Sequence, residues 1–139
     1  MNKILTLILC LFSLQVMADS SKVEFTGGWI KQLPPVVPMR AGYVNITNPS
    51  NEDVVITAMQ SDAFETVELH ETTMKDGMMQ MVQQDSMLIP ANGSISLKPG
   101  GKHIMLINPL NPLAIGDKVN LTVTFGDSKA QKIQLEVKQ

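Results

Sequence analysis

Two histidines and ten methionines are the residues of this 139-residue chain best equipped for chemistry. Imidazole nitrogen and thioether sulfur are both neutral donors, and the sulfur is soft. His103 precedes Met105 by two positions, and on a strand residues i and i+2 share a face, so the two project together while Ile104 and Leu106 point the other way. Taken alone, that triplet reads as a rim histidine beside a core methionine. The segment after His70 adds weight to it. Asp76-Gly77 has the composition of a two-residue hairpin turn. With that turn, Lys75 faces Met78, Met74 faces Met79 and Thr72 faces Met81. His70 lies two residues before Thr72, so it shares a face with Met81, one diagonal step away and within reach of long side chains. Met74 and Met79 fall on that face and Met78 on the other; a one-residue slip would reverse the assignment. The chain thus offers two nitrogen–sulfur pairs, His70 with Met81 and His103 with Met105.

Other chemistries find little support. The one cysteine, Cys10, lies in the apolar run Ile4 to Val16 that follows Lys3 and precedes Val16-Met17-Ala18. That arrangement reads as a secretory signal, residues 1–18, cleaved ahead of Asp19. Cys10 follows Leu9, where a lipid-attachment site would want a small residue. Cleavage removes the thiol and leaves no disulfide, thiol nucleophile or thiolate ligand. There is no G-x-S-x-G elbow and no Gly-rich phosphate loop, since Gly100-Gly101-Lys102 is a turn leading into a strand. An enzyme is not expected. A net charge of −2 and 4% aromatic residues argue against nucleic acid as a partner. No further stretch is long and apolar enough to span a bilayer.

The elements that must hold the two pairs are strands. Apolar residues alternate in Val119 to Phe125 and again at Ile133, Leu135 and Val137, the signature of half-buried strands. Further strands are expected at Gly42–Thr47, Asp53–Met59, Glu65–Glu71, Met79–Gln83, Ser94–Leu97 and His103–Ile107, after a first strand that precedes the stiff Pro34-Pro35 segment. Asn48-Pro49, Pro90 to Gly93 and Pro99-Gly100-Gly101 separate them as turns. The expected fold is all-β, an antiparallel sandwich or barrel in a single domain over residues 19–139. Trp29 is expected to plug one end of the core, with a partner-docking aromatic as the alternative. Met39, Met59 and Met87 read as core or rim residues. Met74, Met78 and Met79 read either as an approach path for a metal, as a soft docking patch, or as gap-filling core.

The four residues His70, Met81, His103 and Met105 are separated by ten, twenty-one and one residues. This spacing resembles the H-x10-M-x21-H-x-M signature of the periplasmic copper(I) chaperone family called PCuAC. The resemblance extends to Val67-Glu68-Leu69-His70-Glu71-Thr72, to Ile89-Pro90-Ala91, to Leu97 through Leu106, and to Pro112-Leu113 and Gly116 through Phe125. It covers roughly residues 22–137. It implies a cupredoxin-like β-sandwich, one Cu(I) held by His70, Met81, His103 and Met105, and delivery of copper by ligand exchange toward the Cu-A centre of cytochrome oxidase or another copper chaperone. It also implies a periplasmic location, and a monomer is expected. The chain stops at Lys138-Gln139 without the His/Met-rich tail that some members carry, so a tail-based Cu(II) site is not expected.

The donor chemistry is compatible with that implication. Thioethers prefer Cu(I) to Zn(II), Mg(II) or Ca(II), and unlike thiolates they do not oxidise to disulfides outside the cytoplasm. A blue-copper electron carrier is excluded, since it needs a Cys thiolate. Two alternatives stay open: a periplasmic copper buffer or resistance protein without a dedicated recipient, and a metal-free secreted β-sandwich interaction module.

Overall fold

The computed structural model describes residues 22–139. The expected signal segment, Cys10 and the cleavage point lie outside them. Ten strands run in order: β1 (Glu24–Lys31), β2 (Met39–Thr47), β3 (Val54–Gln60), β4 (Phe64–Lys75), β5 (Met78–Gln84), β6 (Met87–Ile89), β7 (Ser94–Leu97), β8 (Lys102–Pro109), β9 (Lys118–Phe125) and β10 (Ala130–Lys138). They hydrogen-bond in the sequence β5-β4-β8-β2-β1-β10-β9-β3-β6, with β7 pairing β2. The sheet folds over on itself, so that β3 also packs against β4. No helix of the described residues is long and apolar enough to cross a membrane.

The alternating segments form strands with the expected faces. In β9, Val119, Leu121, Val123 and Phe125 are buried, and in β10 Ile133, Leu135 and Val137 join them. Ile30, Ile46, Ile56, Ile89, Ile104 and Leu106 complete the centre of the core. Burying such side chains contributes about 1.5–3 kcal/mol each, which makes the register hard to slip. Met59 and Met87 are core residues, whereas Met39 is exposed.

Three features depart from the sequence expectations. β1 runs parallel to β10 in an otherwise antiparallel set. Parallel neighbours need a long connection, and here the whole intervening domain supplies it. β6 escapes pattern reading because three residues carry too little periodicity; it exists through its ladder with β3, Val54 opposite Ile89. Trp29 does not plug the core. A bulge between Thr26 and Trp29, with Gly27 at φ +63°, brings Ile30 inward and leaves Trp29 half-buried on the other face. There it stacks obliquely on Tyr43 with ring centroids 4.7 Å apart.

Candidate metal centre

β5, β4 and β8 are consecutive in the sheet, and the two nitrogen–sulfur pairs lie on them. The hairpin register is the expected one: Lys75 opposes Met78, Met74 opposes Met79 and Thr72 opposes Met81. Asp76 (φ 52°) and Gly77 (φ 76°) both take the left-handed backbone that a tight two-residue turn requires. His70 opposes Gln83, so Met81 sits one diagonal step from it on the same face.

What no short-range pattern shows is the second ladder. β4 pairs β8 antiparallel so that His70 directly opposes His103 and Glu68 opposes Met105. The imidazole centroids are 5.8 Å apart with an interplanar angle of 41°. One face of three adjacent strands therefore carries all four residues.

Burial is graded across that face. His103 and Met105 are buried, at 3% and 8% exposure, although Ile104 and Leu106 beside them fill the core on the opposite side. β8 is thus covered on both faces, and His103 is no rim residue. His70 is half-buried, and Met81 is 61% exposed. The set opens to solvent at Met81.

Hydrogen bonds decide which nitrogen of each ring is free. His103 Nδ1 lies 3.0 Å from the carbonyl of Gly101. A carbonyl only accepts, so Nδ1 carries the proton and Nε2 the lone pair. His70 Nε2 lies 2.7 Å from the Glu68 carboxylate, which in the neutral ring assigns the proton to Nε2 and the lone pair to Nδ1. Both lone-pair nitrogens, His70 Nδ1 and His103 Nε2, are buried without a hydrogen-bond partner. Leaving such an atom unsatisfied costs about 1–3 kcal/mol. A metal ion is a partner that would satisfy both, and anchoring the remote nitrogen is how proteins orient a ligating imidazole.

Glu68 and Gly101 anchor the two histidines, and neither is singled out for that role by the sequence alone. For Glu68 the signal was available, because it lies two residues before His70 on the same face of β4; Gly101 acts through its backbone carbonyl, which no side-chain pattern marks. Glu68 also changes the charge picture. The four donors are neutral, but a carboxylate stands beside them and would offset part of a bound cation's charge. Among the described residues no group of three or more His, Cys, Asp or Glu could hold a metal. Two imidazoles and two thioethers are a donor set suited to a soft monovalent ion. Across β2, the face continues to Ala41, opposite Met105, and then to Tyr43 and Trp29. Burial pushes the Tyr43 phenol above its ordinary value, so it stays protonated.

Residues 23–137 match the family described as "Putative lipoprotein LpqE-like". A protein of Leifsonia xyli subsp. xyli, "Putative lipoprotein Lxx21020", is 31% identical over 117 residues, covering 84% of this chain and 69% of that protein. Among solved structures, the Cu(I)-bound DR1885 of Deinococcus radiodurans superposes with a TM-score of 0.62 at 28% identity, over 81% of this chain and 75% of that one. The copper-bound PCuAC domain of PmoF2 superposes with a TM-score of 0.71 over 84% and 92% of the two chains; at 17% identity that likeness speaks for the cupredoxin-like β fold alone.

Proposed function

The chain belongs to the LpqE-like family of PCuAC-type domains, and on that footing we propose that it is a copper(I) chaperone of the periplasm, exported by the cleaved signal at residues 1–18. It holds one Cu(I) at His70 Nδ1, His103 Nε2, Met105 and Met81. The observation that carries this reading is the pair of buried, unpartnered imidazole nitrogens on adjacent strands, on a face shared with both thioethers. The copper(I) form of the Deinococcus relative supports the choice of ion.

Delivery follows from the graded burial. His103 and Met105 hold the ion from below, and exposed Met81 marks the side from which an incoming donor reaches it. The acceptor is an apo copper protein, and we place it at the Cu-A centre of cytochrome oxidase. Thioether and imidazole release the ion without the redox step a disulfide-prone thiolate site would invite.

The test is competition between the protein and a Cu(I) chelator for wild type, His103→Ala and Met81→Ala. One equivalent is expected in the wild type and weaker binding in both variants; unchanged affinity in both overturns the assignment. X-ray absorption at the copper edge should report two nitrogen and two sulfur neighbours. Deletion separates delivery from buffering: delivery predicts lost oxidase activity at low copper, buffering predicts copper sensitivity.

A further inference from the structure

The β4–β5 hairpin carries a concentration of exposed apolar side chains: Met74, Met78, Met79, Met81 and Val82. It also reaches beyond the sheet. β8 accompanies β4 only as far as Glu71 opposite Lys102, while β4 and β5 stay paired to Lys75 opposite Met78. An exposed ribbon end with a free edge is ordinarily built of charged and β-branched residues, which favour the strand and discourage association. Methionine serves neither purpose. What it adds is a soft sulfur.

The register arranges these sulfurs in order. Met74 and Met79 oppose each other directly, on the face that holds His70. Side chains so placed have Cβ atoms about 4.5–5.5 Å apart. The His70 row and the Met74 row are four residues apart on β4, about 13 Å at the rise of a strand. Met81 opposes Thr72, two residues from either row, and so stands midway. Met78 lies on the opposite face.

We propose that Met74 and Met79, with Met81 as a shared third ligand, form an outer site for Cu(I), or for its soft monovalent analogue Ag(I), through which the ion enters and leaves the inner site. The proposal rests on the inner site argued above. Copper keeps its oxidation state throughout. Met81 retains its bond while the Met74 and Met79 thioethers are exchanged for the two imidazole nitrogens and the Met105 thioether, and no proton moves on the thioethers, which carry none. The outer site has no imidazole and is open to water, so it binds more weakly than the inner one, as a loading position should.

The test uses Ag(I), which is redox-inert, with the protein labelled at its methionine methyl groups. The first equivalent should shift the Met81 and Met105 methyl resonances, and a second, weaker equivalent, held by Met74 and Met79 alone while Met81 is engaged by the first, those of Met74 and Met79. The double variant Met74→Leu/Met79→Leu keeps the apolar bulk. It should lose the second equivalent and slow transfer to a chelator, with the first affinity unchanged; Met78→Leu should alter none of these. Silent Met74 and Met79 methyls in excess Ag(I) overturn the proposal. So does a double variant that keeps the second equivalent and the wild-type transfer rate, which would leave the hairpin as an apolar docking surface. His103→Ala reports on the inner site separately: it should weaken the first equivalent and spare the second, and an unchanged first affinity overturns the inner assignment whatever the hairpin does.

Discussion

His70 and His103 face each other across the β4–β8 ladder, and each ring is anchored by the residue two positions before it, His70 to the Glu68 carboxylate and His103 to the Gly101 carbonyl. The two anchors hold opposite nitrogens, Nε2 in one ring and Nδ1 in the other. Each ring therefore keeps its remaining nitrogen buried and without a hydrogen-bond partner.

The Glu68 anchor supplies both orientation and negative charge. Glu68→Gln can still accept the His70 N–H bond but loses the charge, and Glu68→Ala loses both. Outer partners of metal-ligating histidines are worth about 10–100-fold in affinity. Cu(I) affinity should fall by about tenfold in Glu68→Gln and further in Glu68→Ala. Glu71→Gln is the control, because Glu71 pairs with Lys102 and lies on the opposite face. Equal losses in Glu68→Gln and Glu71→Gln would refute a specific role for Glu68.

Acid should weaken copper binding. The lone pairs at His70 Nδ1 and His103 Nε2 are open to a proton as well as to a metal, and ligation requires the neutral ring. Chelator competition between about pH 7 and about pH 5 should show affinity declining toward the acid end. A flat profile over that interval would mean that the imidazoles are not ligands.

Asn48 ties the β2–β3 turn to the end of β6. Its amide donates to the carbonyls of Glu52, Ile89 and Pro90, and its oxygen accepts from the Ser50 backbone and hydroxyl. The side chain is fully buried, so Asn48→Ala strands those carbonyls. Denaturant unfolding of the apo-protein should show a loss of about 1–3 kcal/mol. Because Asn48 lies just past the end of β2, away from the residues that face His70 and His103, the metal-free and metal-bound forms should lose equally.

Glu136 opposes Lys118 across β10 and β9, with Oε2 and Nζ 2.6 Å apart. The hydrogen bond from Lys118, and then its charge, hold the carboxyl below the ordinary carboxylate range. A carboxyl depressed in the folded state stabilises above the unfolded-state value, and that stabilisation is lost as pH falls through the lowered folded value. The pair is exposed, so its contribution is small. The stability gap between wild type and Glu136→Gln should be present near about pH 7 and close toward about pH 3. A gap that stays constant over the range would show that the ion pair is not its source.

Strand identity, inward faces and the hairpin register belong to the local sequence. Alternation in Val119–Phe125 and the Asp76-Gly77 turn act over a few residues, and period-two geometry converts them directly into faces. That is enough to bring Met81 near His70 and Met105 beside His103. The apposition of His70 with His103, across 33 residues of chain, depends instead on which strand becomes the neighbour of β4, and burial of the whole core decides that. The same packing covers His103 on the face it shares with Met105 while Ile104 fills the other, turns Trp29 outward through the Thr26–Trp29 bulge, and leaves two imidazole nitrogens buried and unpartnered. The sequence by itself determined the donors and the face each would take; only the tertiary structure decided that the faces meet, because strand pairing at long range is selected by the area of apolar surface it buries and no local pattern encodes that sum.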